Sequence, residues 1–268
     1  MNQNYLLSAL VADSLALAVH WIYDPVKLES IHGRVQAPKK PSDDSYHQGQ
    51  PKGGQTHLGH QVIVLSEALS KKTPFSEELR KFWSTSSSYK DHATKNFLAQ
   101  NAERSGELAG ASRLAAVVAH HDSYESTAMV MKEQTLVTHS ENVAEAGDKL
   151  LQLFYLLKAG QNVSSAVTSV FGASPSYQKA KAVENLPAVQ AISKLGQDCS
   201  LESSLPSVLY LLLRAEDYRE TMIDNVMAGG DSASRGLVLG PLLVAHFGFE
   251  SVPKEWLSSL EYQLSPVS

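Results

Sequence analysis

The chain has 268 residues, of which 43% are hydrophobic, and its 23 basic and 28 acidic side chains give a net charge of −5. Because nucleic-acid binding needs clustered Lys and Arg to neutralise phosphates, this acidic balance argues against a DNA- or RNA-binding protein. The single cysteine, Cys199, excludes an internal disulfide, and no signal-peptide pattern opens the sequence, so we expect a cytoplasmic protein.

Apolar residues recur at helical spacing along almost the whole chain, which predicts an all-α fold. We expect a single domain over residues 1–268, because no linker, repeat or low-complexity tract divides the sequence. The longest uncharged apolar stretch, residues 236–249, contains Pro241 and is shorter than the ~20 residues that cross a bilayer, so no membrane span is expected. The predicted helices cover residues 5–19, 61–70, 74–83, 107–121, 123–137, 142–158, 162–170, 176–195, 202–214, 217–227 and 232–247.

The first predicted helix is apolar on nearly every side, as a central helix of a helical protein would be. Its only charged residue is Asp13. Helical spacing places Asp13 and His20 on one face, about two turns apart. We therefore expect a carboxylate and an imidazole to project from a buried helix.

A segment rich in Pro and Gly, residues 33–59, follows and lacks apolar periodicity. Irregular loops longer than ~15 residues in compact domains are usually functional or disordered, so we expect a site here. Three residues at the end of this segment, Thr56, His57 and His60, are expected to face a cleft. Half of the ten histidines fall in the first 60 residues of the chain: His20, His32, His47, His57 and His60.

This clustering of histidines permits acid/base chemistry near neutral pH or a metal site. One hypothesis is a transition metal held by His57 and His60. The pair lacks a carboxylate partner and a zinc-type spacing in the sequence, so solvated loop histidines are the favoured interpretation.

Two further candidates lie in the middle of the chain. Ser112 and Arg113 stand in an apolar helical stretch, where the guanidinium is either at the surface or buried with a partner, and we expect the surface position. Thr138 and His139 precede the helix predicted near residue 142, and they are either site residues or an N-cap cluster.

The sharpest local motif is Gly229-Gly230-Asp231-Ser232-Ala233-Ser234, which joins two strongly helical segments. Paired glycines allow a left-handed turn and close backbone approach, and the start of the next helix attracts anions. The simpler interpretation is a helix-ending glycine that meets the N-cap of the next helix, with Asp231 or Ser232 as the cap. These residues alone favour the capping interpretation.

The order of these motifs along nearly the whole chain resembles that of the ADP-ribosylglycohydrolase family. Residues 10–17 match its opening Gly-Asp-x-x-Gly helix, and the segment from Thr56 onward matches Thr-Asp-Asp-Thr. Residues 105–117 match its Arg-x-x-Pro helix, and Thr138-His139 matches its Thr-His pair. Near the end, residues 229–234 match Gly-Gly-Asp-Thr-Asp-Thr, and residues 253–257 match Ile-Pro-x-x-Trp. The resemblance implies an all-α hydrolase that removes ADP-ribose from its acceptors with two magnesium ions.

The resemblance also implies a ligand set for magnesium, and this chain departs from it. The matching positions that still carry an oxygen donor are Thr56, Asp231 and Ser234. The other three family aspartates are replaced by His57, Leu58 and Ala233, so one carboxylate of four remains. Magnesium needs hard oxygen ligands in octahedral geometry, so we do not expect a two-magnesium centre. The pattern resembles a divergent branch of the family that includes lens crystallins.

Two hypotheses about function follow, and both imply a small ADP-ribose-like ligand. The first is a hydrolase of N- or O-glycosidic bonds to ADP-ribose or a related nucleoside, with Asp231, Asp13 and His57 as candidate catalytic residues. The second is a crystallin-like binding or structural protein that keeps the fold and cleft without catalysis. The candidate substrate-binding residues are His20, Thr56, His60, Ser112, Arg113, His139, Gly229, Gly230 and Ser232.

Overall fold

The structure is a computed structural model, and it describes residues 2–262. Within these residues the chain is helical, apart from two isolated β-bridges, which confirms the predicted all-α class. Two short 3₁₀ helices, Leu108–Arg113 and Phe249–Ser251, accompany the α-helices. The α-helices are α1 Gln3–Ala16, α2 Pro25–His32, α3 His57–Lys71, α4 Phe75–Thr85, α5 His92–Leu98, α6 Leu114–His120, α7 Tyr124–Leu136, α8 Glu141–Lys158, α9 Val163–Phe171, α10 Pro175–Ala182, α11 Ala188–Leu195, α12 Leu201–Leu213, α13 Tyr218–Met227, α14 Ser232–Phe247 and α15 Lys254–Leu257.

Helices α1 and α14 pack along each other at the centre of the fold. Both are buried over most of their length, which explains why neither sequence shows a polar face. A side chain on Gly240 would place its Cβ 2.8 Å from the carbonyl oxygen of Ser8, so glycine allows this close packing. The Tyr218 hydroxyl donates to the same Ser8 carbonyl at 2.6 Å, which ties α13 to the central pair.

Three short helices, α2, α5 and α15, were missed by the periodicity, and the first two begin at a capping residue. The first, α2, begins after Asp24, whose side chain accepts the N–H groups of residues 26 and 27, and it has Pro25 at its first position. The second, α5, begins after Asp91, whose side chain accepts the N–H of Thr94 at 2.6 Å. In both cases the sequence contained a capping signal without an apolar repeat long enough to support it.

Two predicted helices have a different form in the structure. The stretch 176–195 is two helices, α10 and α11, because Pro187 cannot continue an α-helix and instead precedes α11. The stretch 107–121 begins as the 3₁₀ helix Leu108–Arg113 and continues as α6. The point at which a 3₁₀ helix continues as an α-helix depends on tertiary packing, which cannot be inferred from hydrophobic spacing in a single sequence.

The irregular segment between α2 and α3, residues 33–56, is held against the end of the chain. The Trp256 indole N–H donates to the carbonyl of Gln36 at 2.8 Å, and the N–H of Glu261 donates to the carbonyl of Gly53 at 3.0 Å. These contacts fix the segment that carries His47 and leads into α3.

In the part of the chain that the structure describes, none of the helices is long and apolar enough to traverse a bilayer.

Candidate functional site

A cleft of about 160 Å³ opens where the N-terminal ends of α3, α5 and α14 meet the turn after α1. Its walls include Trp21, His57, Tyr89, Asp91, Glu107 and Asp231. Helix N-terminal ends carry free N–H groups and a positive partial charge, which offset part of the negative charge of the three carboxyl groups in these walls.

Asp13 fixes the start of α3. Its carboxylate accepts the N–H of Thr56 at 2.7 Å and the Thr56 hydroxyl at 2.6 Å. Burial raises the pKa of Asp13 to about 6, although the bonds from Thr56 act in the opposite direction. Because Asp13 is fully buried and both of its oxygens are engaged, it positions the residue before His57 and does not face the cleft.

Asp231 is 1% exposed and contributes its carboxylate to the cleft wall. It occupies the N-cap position of α14, yet its side chain accepts the hydroxyl of Ser234 and makes no capping bond to a backbone N–H of this helix. Burial raises the pKa of Asp231, and the Ser234 hydroxyl and the charges of Arg235 and His57 oppose that rise. Asp231 thus stands both at the cap position of α14 and in the wall of the cleft.

His57 has a carboxylate partner that the sequence did not reveal. Its Nε2 lies 3.4 Å from Oδ2 of Asp91, and both side chains are buried. Burial alone would raise the pKa of Asp91, but hydrogen bonding and charge from His57 hold the pKa well below its ordinary value. The expectation that His57 lacks a carboxylate partner was wrong, because 34 positions separate two residues that the fold brings together.

His57 is one of three imidazoles that lie side by side. The ring centres of His20, His47 and His57 are 5.5 to 5.9 Å apart. His20 also stacks on Trp21 at 4.4 Å, and its Nε2 lies 3.8 Å from Oδ1 of Asp231. Burial lowers the pKa of His47 to about 3 and that of His20 well below 6.5, so both rings are neutral at pH 7.

His60 does not join this group. Its ring packs against Phe82, with 5.4 Å between the ring centres, and burial lowers its pKa to about 4. His60 lies one turn after His57 on α3, and it is not among the residues that line the cleft.

Arg113 is buried, which corrects the expected surface position. It is 1% exposed, and its guanidinium donates to Gln61 at 2.7 Å, to Thr138 at 3.1 Å and to the side chain and carbonyl of Gln134. Ser112 donates to the carbonyl of Ala109 at 2.7 Å. Arg113 thus ties several segments together, whereas the Ser112 bond lies within one 3₁₀ helix, and neither residue lines the cleft.

His139 is also enclosed by the protein. Its Nδ1 pairs with the Thr138 hydroxyl at 2.7 Å, and a side chain on Gly110 would come within 2.6 Å of its ring. Burial, and next the charge of Arg113, lower its pKa to about 3. His139 is 1% exposed and does not line the cleft.

Gly229 and Gly230 allow close packing against other backbone segments of this protein, and not against a ligand. Gly229 and Gly230 adopt φ values of 74° and 66°. A Cβ on Gly229 would lie 2.6 Å from the carbonyl oxygen of Ile22, and one on Gly230 would lie 2.2 Å from that of Gln197. The close backbone approach is therefore to these two residues. The neighbouring Ser232 is fully buried, and its hydroxyl has no partner among residues 2–262.

Most of the residues that line the cleft, including Tyr89, Asp91 and Glu107, were absent from the sequence-based set. Tyr89 gave no signal beyond being aromatic, and Asp91 gave only the capping pattern that starts α5. Glu107, at the start of the 3₁₀ helix, was placed in a helix and not in a site. Burial raises the pKa of Glu107, and the charges of Asp91 and Asp231 raise it further.

Comparisons with known proteins place the fold in one family. The family model for ADP-ribosylglycohydrolase matches residues 3–266. A solved structure described as an ADP-ribosylglycohydrolase-related protein complex superposes with a TM-score of 0.72 over 96% of this chain and 91% of its own, at 19% identity, which shows the shared fold alone.

Two curated relatives are crystallins from Tripedalia cystophora. Crystallin J1A is 28% identical over 82 residues, or 31% of this chain and 26% of that protein. Crystallin J1B is 33% identical over 70 residues, or 26% of this chain and 22% of that protein. The matches thus span about a quarter of the length of these curated relatives.

The residues at the implied magnesium positions do not fit two magnesium ions. The Thr56 hydroxyl donates to Asp13 and accepts the N–H groups of Leu58 and Gly59, so both of its lone pairs are used. The Ser234 hydroxyl is bound to Asp231. Leu58 and Ala233 offer no oxygen, which leaves Asp231 as the only carboxylate of the set, whereas magnesium needs several hard oxygen ligands.

Proposed function

This chain belongs to the ADP-ribosylglycohydrolase family, and on that premise we propose that its cleft binds the ribosyl end of an ADP-ribose-like ligand and hydrolyses the glycosidic bond there without magnesium. The observation that carries this proposal is the pair of carboxylates, Asp231 and Glu107, on the walls of one cleft. Glycoside hydrolysis commonly uses two carboxyl groups, one as general acid and one as base or nucleophile.

The surroundings of the two carboxyl groups assign their roles. Glu107 is half-buried and faces the negative charges of Asp91 and Asp231, which favour its protonated form. Burial raises the pKa of Asp231 as well, but there the Ser234 hydroxyl and the charge of Arg235 oppose the rise, whereas neighbouring carboxylates add to it at Glu107. Glu107 is therefore the proton donor to the leaving group, and Asp231 takes the proton of the attacking water.

Aromatic side chains support a nucleoside ligand. Trp21 lines the cleft and also an adjoining cavity of about 280 Å³. Its ring meets Tyr46 and Tyr89 edge to face at 5.1 and 5.3 Å, and Tyr46 is 58% exposed. An exposed aromatic face suits a nucleobase, which stacks on it irrespective of base identity. We assign the ribose to the cleft and the base to Tyr46.

The direct test is hydrolysis of ADP-ribosylated amino acids by metal-free protein in magnesium-free buffer, with released ADP-ribose measured by chromatography. We expect turnover, and we expect Asp231→Asn and Glu107→Gln to lower kcat/KM by about 10²–10⁴-fold, as loss of a positioned acid or base does. Asp43→Asn, an exposed aspartate, is the matched control and should retain activity. Turnover that requires magnesium, or that survives both substitutions, would refute the proposed mechanism.

A second candidate function is ligand binding without catalysis, and a specific observation favours it. Leu58, which stands where the family has an aspartate, lines the cleft together with Ala109, so part of its wall is apolar. On this alternative, ADP-ribose raises the thermal midpoint of the chain, Asp231→Asn abolishes that shift, and no product is released. A ligand at 100 times its Kd stabilises the fold by about 2.7 kcal/mol, which a thermal-shift assay detects.

A further inference from the structure

Three buried imidazoles gather beside Asp231 with polar atoms left unpaired. His20, His47 and His57 are 4%, 3% and 1% exposed, and one ring nitrogen of each lies within 4.8 Å of one from both other rings. Among residues 2–262, Nε2 of His20, Nε2 of His47 and Nδ1 of His57 have no hydrogen-bond partner. Buried polar atoms without partners destabilise a fold, so three in one place require a physical reason.

We propose that His20, His47 and His57 bind one divalent transition-metal ion of the zinc type. Imidazole nitrogens suit zinc, nickel and copper, whereas magnesium prefers oxygen. Sets of three protein ligands that leave a fourth position open are typical of zinc sites that bind a water molecule. The site uses a different element from the implied two-magnesium centre, and it shares with that ligand set only position 57, where this chain has His57 in place of the family's aspartate.

The surroundings of His57 are those of a metal ligand. A metal-bound imidazole almost always donates its second ring N–H to a carboxylate or carbonyl, which fixes the ring and its tautomer. The Nε2 of His57 lies 3.4 Å from Asp91, which leaves Nδ1 with a free lone pair. Asp91 is thus a positioning residue for the proposed ion.

His20 and Asp231 define the other side of the site. Nδ1 of His20 accepts the N–H of Ala233 at 3.3 Å, so Nε2 carries the ring proton in the metal-free chain. Coordination of the ion through Nε2 moves the ring proton to Nδ1. The 3.3 Å hydrogen bond from Ala233 to Nδ1 is then lost, and the metal–nitrogen bond replaces it. Asp231 Oδ1 lies 3.8 Å from Nε2, where its negative charge offsets that of the ion.

The rings need only a small movement to reach bonding distance. Zinc–nitrogen bonds of about 2.05 Å place neighbouring nitrogens of a tetrahedral site about 3.3 Å apart. Starting from separations of at most 4.8 Å, each ring moves inward by about 1 Å. His47 lies in the irregular segment 33–56, so a shift of this size does not require a packed helix to move.

The experiment is calorimetric titration of the metal-free chain with zinc chloride, followed by visible absorption of the cobalt(II) form. We expect one ion per chain, and we expect His47→Phe and His57→Phe each to lower the affinity by about 100-fold or more, because loss of an outer partner alone costs about 10–100-fold. We expect Asp91→Asn, which alters only the carboxylate partner of His57, to lower the affinity for zinc by about 10–100-fold. The matched control is His60→Phe, one turn from His57, which should bind zinc as tightly as the parent chain.

The proposal fails if the parent chain does not bind zinc stoichiometrically, or if His47→Phe binds as tightly as the parent. Circular dichroism checks the fold of each variant. If the phenylalanine variants unfold, the cobalt spectrum of the parent decides: intense bands of low-symmetry imidazole coordination support the site, and the weak bands of hydrated cobalt overturn it. The inference does not rest on the proposed hydrolysis, because these titrations contain no ADP-ribose and the hydrolysis assay uses metal-free protein.

Discussion

A Cβ atom on Gly59 would lie 2.2 Å from Oδ2 of Asp13. The missing side chain on α3 is therefore the space that the carboxylate from α1 occupies. Since Asp13 is held there by two bonds from Thr56, it cannot move aside. The start of α3, and with it His57, is positioned by this contact between two helices that are distant in sequence.

The first prediction follows directly from this contact. We expect Gly59→Ala to lower the free energy of unfolding by about 1–3 kcal/mol, the usual cost of overpacking a close-packed interior. Urea denaturation measures it. Gly106→Ala is the matched control, since a Cβ there meets nothing within 4 Å. Equal stability of the two variants would show that Asp13 can give way.

The second prediction concerns the buried guanidinium of Arg113. We expect Arg113→Met to lower the free energy of unfolding by about 1–3 kcal/mol, because it leaves the polar groups of Gln61, Gln134 and Thr138 buried without their partner. The exposed Arg104 supplies the control Arg104→Met, which should change stability by less than about 0.5 kcal/mol. A small effect at residue 113 would mean that water reaches these groups.

The apolar pattern predicted the class of the fold because a buried helix and its spacing are properties of a continuous stretch of chain. The pairing of Asp13 with Thr56 and that of His57 with Asp91 could not be anticipated from the sequence. Asp91 and Glu107 enter the cleft through the positions of α5 and the 3₁₀ helix. Those positions depend on contacts between segments, which hydrophobic periodicity does not encode.

The third prediction is a dependence of stability on pH. The pKa of His139 falls from 6.5 to about 3 on folding, so the unfolded chain binds more protons as the pH falls below 6.5. The folded state therefore loses stability on acidification, by up to about 1.4 kcal/mol per pH unit for this group. Asp13, with a raised pKa of about 6, acts in the opposite direction between pH 6 and 4.

Comparison of His139→Phe with the parent chain isolates the contribution of His139, because both proteins keep Asp13. Between pH 6.5 and 5, we expect the free energy of unfolding to fall less steeply with pH in the variant. The difference in slope should approach about 1.4 kcal/mol per pH unit, the value for one proton. Ser165→Ala, at an exposed position with no titrating group, should keep the parent slope. Identical slopes in all three proteins would show that His139 is protonated in the folded state.

The fourth prediction concerns magnesium. We expect millimolar magnesium to leave the thermal midpoint unchanged, because two dications repel each other and need more anionic oxygens than Asp231 supplies. The combined substitutions His57→Asp, Leu58→Asp and Ala233→Asp restore the lost carboxylates and should create measurable magnesium affinity. Calorimetry that finds two tightly bound magnesium ions in the parent chain would contradict the prediction.

The contacts that Trp256 and Glu261 make with the irregular segment form only after all residues of the cleft wall have been synthesised. Every wall residue of the cleft has been added once the ribosome passes Asp231. The segment that carries His47 is also held by residues made later, through the carbonyls at positions 36 and 53. We expect a nascent chain stalled before residue 256 to contain all the cleft residues and to leave residues 33–56 open to protease. A chain that stops in α15 therefore keeps every residue of the cleft wall but loses two of the contacts that hold residues 33–56 in place.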